Sequence, residues 1–290
     1  MILINRKFHH FVITRFDLRA AKWRTDKNNQ PTLSDAWYAQ RFQLFEQYCF
    51  HSMELQTNQQ FDWLIIMDER TKAAHRQRLS DIIGKYGNMH LLLNFGFDRY
   101  LEKILEKIRS ICLTKFGQIP KYMLTSRLDN DDCLHPSFIE EIQKQTTALE
   151  EKTLIDAMTG FYIDPMTLNM VRMSVPNNPF LSIYEDTDQM GSVLARMHHE
   201  WHDFFPRIEL SRPLWATVVH QSNLRNRLPN VWRTNPGEAA DFADFFPIRQ
   251  LTNAQKITMR LSRYLGNFGV GLKHIYYPTK RALINMLPHR

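Results

Sequence analysis

Cysteine, glycine and long apolar runs are scarce in this sequence of 290 residues. The 3 cysteines are Cys49, Cys112 and Cys133, too few and too scattered for a disulfide framework or a Cys-based zinc module. With 10 Gly and 13 Pro, the composition is neither collagenous nor disordered. No apolar stretch approaches the roughly 20 residues of a membrane span, and none at the start is typical of a secretion signal. We therefore expect a cytoplasmic protein.

Acidic residues are missing from the end of the chain. From Arg249 to Arg290 there are eight Lys or Arg and no Asp or Glu, whereas the other 29 basic and 30 acidic residues nearly balance. Residues 251–265 separate basic from apolar side chains at helical spacing, which is typical of any packed amphipathic helix. Because acids are absent throughout, we predict a basic amphipathic tail over 249–290 that contacts anionic lipid at the inner membrane face. No nucleic-acid-binding motif is present, so we expect no nucleic acid partner.

Apolar runs of strand length alternate with helical patterns in the first half of the chain. The pattern predicts an α/β fold with a mostly parallel, Rossmann-like sheet and helices on both faces. In such sheets the ligand lies outside the carboxyl ends of the strands. Strands are predicted at 8–14, 61–67, 89–95 and 122–128, and helices at 36–52 with Ser34 as N-cap, 71–86, 98–113 and from Pro136 to about 150.

The rest of the chain is less regular. Residues 153–232 contain short apolar runs and several prolines, which predicts a mixed, loop-rich half that closes over a site. We place one domain at 8–248, with a first half at about 8–135 and a second half at about 136–248.

Three carboxylates follow the fourth predicted strand, in the sequence Asp129-Asn130-Asp131-Asp132. They repel one another unless they lie in open solvent or around a cation. In an extended backbone Asp129 and Asp131 point the same way, so both could reach one hard divalent ion and its phosphates. We interpret the cluster as a metal site. An acidic turn that caps the helix at Pro136 is the competing interpretation.

Other metal-linked interpretations follow from the same residue types. A calcium EF-hand loop counted from Asp129 is excluded, because its fifth and sixth places hold Cys133 and Leu134 instead of an oxygen ligand and Gly. A phospho-aspartyl phosphatase would use one of the aspartates as nucleophile, and spacing does not exclude it. His198 and His202 are four residues apart but lack the Glu of a zincin, which favours acceptor binding or surface packing. No Walker A or Gly-rich dinucleotide motif is present.

Four stretches together resemble a known family. They are HFVITRFDLR (10–19), WLIIMDERT (63–71), RLDNDDCLHPSFIE (127–140) and PLWATVVHQSN (213–223). Over most of residues 9–235 the chain resembles the bacterial rhamnosyltransferase family, within the nucleotide-sugar-dependent glycosyltransferases of GT-A fold. The resemblance implies transfer of a sugar, with rhamnose as the family's sugar, from a dTDP- or UDP-linked donor. It also implies a glycan or lipid-linked acceptor, in polysaccharide biosynthesis, with a nucleotide-binding half at about 8–135 and an acceptor half at about 136–248.

The resemblance further implies a metal site. Asp129 and Asp131 would form the Asp-x-Asp (DxD) motif that holds Mn²⁺ or Mg²⁺ against the sugar diphosphate. His220 would complete the metal site, and Asp132 would face the sugar or orient the loop. A hydrogen-bonded core histidine is the competing interpretation of His220, because that residue follows an apolar run.

Nucleotide contacts are implied at the ends of the first, second and fourth strands. Thr14 and Arg15 would line the nucleotide cleft, and Asp68 would contact the nucleobase. Arg127 would stabilise either the acidic loop or a diphosphate oxygen. Asp68 has a second interpretation, as a cap of the helix that begins near Thr71.

An acidic pair further along the chain is the expected source of the catalytic base. Glu185 and Asp186 follow the metal motif in sequence order, as in related inverting transferases, and would accept the proton of the acceptor hydroxyl. The alternative from a different class is a non-catalytic, membrane-associated nucleotide- or glycan-binding protein.

Overall fold

The computed structural model describes residues 7–19, 25, 31–166, 169–201, 205–220, 223, 228–229, 242, 261, 264–265 and 267. The predicted basic tail at 249–290 therefore lies almost entirely outside the described residues, and its predicted lipid contact stays a prediction. Within the described ranges, no helix combines the length and the apolar character that crossing a bilayer requires.

The first half of the chain alternates strands with helices, as its sequence predicts. The elements are β1 (Phe8–Arg15), α1 (Asp35–Leu44), a π-helical segment (Phe45–Phe50), α2 (His51–Glu54), β2 (Asp62–Asp68), α3 (Ala73–Ile83), β3 (Met89–Asn94), α4 (Tyr100–Phe116) and β4 (Tyr122–Arg127). Strand β1 lies between β2 and β4, and β3 lies outside β2, with all three pairings parallel. The carboxyl ends of these four strands therefore lie at one edge of the sheet.

Both faces of this parallel half are covered. All seven residues of β2 are buried. Ile65 and Met67 belong to an apolar cluster that also contains side chains of α1 and α3, whereas Leu64 and Ile66 belong to a second cluster with α4. Neighbouring residues of a strand point to opposite faces, so a strand covered on both faces must be apolar throughout. This explains why β2 is one continuous apolar run.

The second half of the chain, for which the sequence predicts a mixed, loop-rich structure, extends the same sheet. Its elements are β5 (Cys133–Leu134), α5 (Phe138–Gln145), β6 (Thr153–Ile163), β7 (Met170–Ser174), β8 (Ser182–Asp186) and β9 (Arg207–Val218). In the described part of the chain nine strands form one sheet, in the order β3-β2-β1-β4-β8-β6-β9-β5, with β7 beside β6. Strand β8 runs antiparallel to β4, and β6 runs parallel to β9. The predicted α/β fold class is confirmed, with a mixed second half in which loops separate the strands.

Close packing between β6 and β9 explains part of this pairing. A Cβ atom on Gly160 of β6 would lie 2.1 Å from the indole of Trp215 on β9, so only glycine lets the ring approach this closely. The ring nitrogen of Trp215 donates to the carbonyl oxygen of Ala157 at 2.6 Å. These contacts hold β9, whose end leads to His220.

Helix starts agree with the sequence at one place and differ at another. Ser34 is the N-cap of α1, and its hydroxyl oxygen accepts from the backbone N–H of Trp37 at 3.2 Å. Helix α5 starts at Phe138 and ends at Gln145, so Pro136 precedes the helix instead of lying inside its first turn. The helix is also shorter than the predicted run to about residue 150.

Candidate active site

Polar residues gather where the parallel strands end. Arg15 is the last residue of β1, Asp68 the last of β2, and Arg127 the last of β4. The acidic loop, defined here as residues 129–132, follows β4 directly. Because parallel strands end at the same edge, this edge carries most of the side chains that the sequence predicts to bind a nucleotide sugar.

The acidic loop is a turn and not an extended segment, which corrects the expected conformation. The backbone N–H of Asp132 donates to the carbonyl oxygen of Asp129 at 3.3 Å. Asp129 pairs with Arg127, whose Nη2 lies 3.0 Å from Oδ2. Asp131 pairs instead with Arg41 of α1, whose Nη1 lies 2.6 Å from Oδ2. The two carboxylates of the predicted motif therefore face different cationic partners.

Asp132 lies deepest in the loop. Its side chain is buried, and Oδ1 accepts from the backbone N–H of Val218 at 2.9 Å. Burial, together with the neighbouring charges of Asp131 and Asp129, raises the pKa of Asp132 well above its ordinary value. Asp132 therefore joins the loop to the end of β9, in keeping with the predicted role of orienting the loop.

His220 reaches the acidic loop because β5 pairs with β9. The loop leads directly into β5, which is antiparallel to β9 with Cys133 opposite Ala216, and His220 comes two residues after β9 ends. Nε2 of His220 lies 3.0 Å from Oδ2 of Asp131. Nδ2 of Asn223 lies 2.9 Å from the same ring nitrogen and 3.4 Å from the same carboxylate oxygen. Two residues about 90 positions apart are thus brought into contact.

The donor atoms of Asp131 and His220 fit a shared divalent cation. Two ligands at about 2.1 Å from one ion and at right angles to each other lie about 3.0 Å apart, which is the spacing of these two atoms. Within the described ranges, no three Asp, Glu, His or Cys side chains form a complete metal site. These two donors would therefore hold a cation only together with oxygens of a bound phosphate, which Mg²⁺ commonly accepts as ligands.

Charges on Asp131 are balanced within the protein. Burial would raise the pKa of Asp131, but Arg41 and His220 hold the pKa well below its ordinary value. Asp131 is therefore ionised, which a metal ligand must be.

Asp68 is fully engaged by the loops that follow three strands. Its carboxylate accepts from the backbone N–H of Arg19 at 3.1 Å, from that of Gly96 at 3.0 Å, and from the side chain of Arg70 at 2.8 Å. Its side chain is completely buried. Burial would raise the pKa of Asp68, but these donors lower it. Asp68 therefore joins the loops that follow β1, β2 and β3. Its predicted contact with a nucleobase stays a prediction.

The two predicted residues at the end of β1 face in different directions. Thr14 is buried, and its hydroxyl oxygen accepts from the indole N–H of Trp63 at 2.9 Å, so the side chain lies in the core. Arg15 is partly exposed, and burial and the nearby Arg127 lower its pKa, while Asp129 opposes that shift. Of the two, Arg15 lies with the acidic loop.

The family of the chain follows from its match to a family model. Residues 8–230 match the family described as "Putative rhamnosyl transferase". The chain belongs to this family. No curated protein matches the chain.

Solved structures show only distant similarity to this chain. The chain is similar to S. aureus TarS 1-349, with 10% identity and a TM-score of 0.37 over 72% of this chain and 60% of that one. The same fragment in complex with UDP has 9% identity and a TM-score of 0.37, and the match covers 73% of this chain and 60% of that chain. A further structure of S. aureus TarS has 8% sequence identity and a TM-score of 0.38, and the match covers 74% of this chain and 37% of that chain. The chain thus spans 60% or less of the length of these three structures. Its function is therefore argued from the family match.

Glu185 and Asp186, the predicted source of the catalytic base, lie away from the acidic loop. Strand β8 is antiparallel to β4, and Glu185 pairs with Met123, four residues and roughly 13 Å before Arg127 along the strand. Glu185 is buried and pairs with Lys152 at 2.8 Å, and it accepts from the backbone N–H of Ser192 at 2.7 Å. The expected placement is therefore corrected, because the register puts both residues at the amino edge of the parallel strands.

Two residues of the site, Arg41 and Asn223, were not predicted from the sequence, whereas His198 was assigned there to acceptor binding or surface packing. Arg41 contacts Asp131, Asn223 contacts His220, and His198 lies near enough to Arg127 and Asp129 for their charges to act on it. Asn223 ends one of the four family-like stretches, which was the one signal for it. Nδ1 of His198 contacts the carbonyl oxygen of Asn177 at 2.6 Å, which fixes the ring beside the cleft.

Proposed function

We propose that this chain is a glycosyltransferase that takes its sugar from a nucleoside diphosphate donor, with a divalent cation, at the carboxyl edge of β1–β4. The observation that carries the proposal is the contact between Asp131 and His220, at 3.0 Å and beside the end of β4. Carboxylate and imidazole together suit Mn²⁺ or Mg²⁺, and the donor's phosphates supply further oxygens.

Each residue of the site has a physical task in this proposal. Asp131 and His220 would hold the cation, and Asp129 of the same DxD motif borders it. A bound divalent cation neutralises the charge that develops on the leaving diphosphate. Arg15 and Arg127 would contact diphosphate oxygens, since guanidinium groups match phosphate geometry.

The donor and the acceptor remain finer parts of the proposal. We infer rhamnose from the family description, with dTDP or UDP as the nucleotide. A glycan or lipid-linked acceptor would suit polysaccharide biosynthesis. The eight cations and no acids of 249–290 support peripheral contact with an anionic membrane, on its cytoplasmic side.

Calorimetry on the full chain tests this proposal. dTDP and UDP are titrated with Mn²⁺, with Mg²⁺ and with neither metal. We expect one nucleotide to bind at least tenfold more tightly with metal, and the matching nucleotide sugar to be slowly hydrolysed. The same titrations are made on Asp131→Asn, which lacks the proposed metal-binding carboxylate. Asp81→Asn, on the exposed surface of α3, is the control for that variant. Absence of nucleoside diphosphate binding under all three conditions would overturn the proposal.

A further inference from the structure

Arg41 is built into the centre of the site although it lies in a distant part of the chain. Nη1 of Arg41 lies 2.6 Å from Oδ2 of Asp131 and donates to Oδ1 of Asn130 at 2.9 Å. The guanidinium also lies over the ring of Trp37, one helical turn earlier in α1, at 4.7 Å from its centroid. Only 8% of the Arg41 side chain is exposed. Three separate contacts therefore fix this cation on the acidic loop.

The loop itself is fixed against the rest of the site through the same contacts. Asn130 accepts from Arg41 and donates to the carbonyl oxygen of Phe16 at 2.5 Å, beyond the end of β1. Arg41 thereby joins α1, the acidic loop and the end of β1. Its position does not depend on Asp131 alone.

Arg41 and a metal ion would need the same carboxylate. Oδ2 of Asp131 is the atom that contacts both Arg41 and His220, and it is also the atom that has the spacing of a metal ligand. Two cations beside one partly buried oxygen repel each other strongly, because little water is present to screen them. The phosphates of a donor bring negative charge to the same place, and that charge offsets the repulsion.

We propose that Arg41 is a resident counter-ion of Asp131, which keeps the affinity for a divalent cation low until a nucleoside diphosphate is bound. This inference rests on the proposed function. In the nucleotide-free protein, Arg41 balances Asp131 and holds the loop in place. When the diphosphate arrives with its metal, the guanidinium moves off Oδ2 or shares Asp131 with the ion.

The test measures Mn²⁺ binding to the full chain by calorimetry, with no turnover involved. Arg41→Gln removes the charge and keeps a polar side chain. Arg78→Gln is a matched control, because Arg78 pairs with Glu46 at 2.7 Å and lies over the ring of Phe42 at 4.4 Å, away from the acidic loop. We expect Arg41→Gln to bind Mn²⁺ alone at least tenfold more tightly than the wild type, and Arg78→Gln to match the wild type.

The nucleotide arm of the test separates this inference from the proposed function. We expect dTDP or UDP to tighten Mn²⁺ binding more in the wild type than in Arg41→Gln, because the variant has no repulsion left to offset. If the wild type binds Mn²⁺ with nucleotide but Arg41→Gln binds Mn²⁺ alone no more tightly, only the role of Arg41 is overturned. If the wild type binds no Mn²⁺ even with nucleotide, the metal-dependent function and the role of Arg41 are both overturned.

A second variant covers the case in which Arg41→Gln does not fold. Trp37→Leu leaves Arg41 charged but removes the ring beneath the guanidinium, and Trp37 is only partly buried. We expect a two- to fivefold gain in affinity for Mn²⁺ alone. Unchanged or weaker Mn²⁺ binding in folded Trp37→Leu, as judged by circular dichroism, would contradict the role of Arg41.

Discussion

Asp62, at the amino edge of the parallel half-sheet, and the acidic loop, at the carboxyl edge, hold their carboxylates in opposite ways. The single carboxylate of Asp62 contacts Nε2 of His9 and Nε2 of His90, each at 2.6 Å, and also pairs with Lys115. In the acidic loop, Asp131 pairs with Arg41 and His220, Asp129 pairs with Arg127, and Asp132 accepts from the backbone N–H of Val218. Asp62 thus has three cationic or imidazole partners for one carboxylate, whereas the acidic loop has three for its three carboxylates.

The pKa directions follow this difference in partners. Burial would raise the pKa of Asp62, but its three donors lower it, so the charge is satisfied within the fold. Asp132 has the opposite shift, since burial and two neighbouring carboxylates raise its pKa. A carboxylate with surplus donors stabilises the protein, whereas crowded carboxylates retain the capacity to take up more positive charge. The comparison predicts that substitutions at the two edges affect different properties.

The largest expected effect comes from Asp131→Asn at the carboxyl edge. Loss of the carboxylate that we propose to hold the cation would remove several kcal/mol of transition-state stabilisation, so hydrolysis or transfer of the nucleotide sugar should slow by about a hundredfold or more. Buried Arg41 loses its ionic partner, so the free energy of unfolding should also fall, by about 1–3 kcal/mol. Activity is measured with labelled donor and stability by urea unfolding. Activity within threefold of the Asp81→Asn control would contradict this role of the carboxyl edge.

Asp62→Asn at the amino edge should affect stability and leave activity unchanged. Three cationic or imidazole donors lose their charged partner, so we expect the free energy of unfolding to fall by about 2–4 kcal/mol. The rate per folded molecule should match the wild type, because Asp62 begins β2 and lies at the other end of the strand from Asp68. Urea unfolding and donor hydrolysis measure the two quantities separately. A large loss of activity at full stability would remove the contrast between the edges.

The pH dependence of this variant sharpens the same contrast. The folded-state pKa of Asp62 is lowered, so its stabilisation is complete above the unfolded-state pKa of about 3.9 and is lost as pH falls towards the folded-state pKa. The difference in unfolding free energy between wild type and Asp62→Asn should therefore be constant near neutral pH and narrow below about pH 4. A difference of equal size at pH 7 and pH 3 would show that the ionised carboxylate is not the stabilising species.

The strands and helices of the parallel half could be predicted because residues close in sequence determine them. The apolar runs of β1–β4 are buried on both faces, and the Ser34 cap is a contact between residues three positions apart. Strand β6 gave no such signal, because it contains the buried polar residue Asp156. That carboxylate accepts from Asn177 and Asn178, about 20 residues away, and its Oδ2 lies 3.7 Å from Nη1 of Arg207, so distant contacts make its burial acceptable.

Contacts between residues that are distant in sequence also limit what can be predicted of the site. The family-like stretches indicated both Asp131 and His220, and the structure brings them into contact. Arg41 was not predicted, because its contact with Asp131 joins residues 90 positions apart and depends on how α1 packs against the loop. Glu185 was misplaced for a related reason: order along the chain does not reveal that β8 runs antiparallel to β4.

The smallest expected effect, and the one that decides the role of the amino edge, is that of Glu185→Gln. The substitution weakens the pair with Lys152 but leaves an oxygen to accept from the backbone N–H of Ser192, so the free energy of unfolding should fall by about 1–2 kcal/mol. The rate of transfer or donor hydrolysis per folded molecule should stay within twofold. Asp186→Asn, whose side chain accepts from the N–H of Asp188 at 2.9 Å, is the neighbouring control and should change neither quantity. A rate about a thousandfold lower with an unchanged melting temperature would instead mark Glu185 as the catalytic base, and would require β8 to shift its register against β4 so that the carboxylate reaches the acceptor.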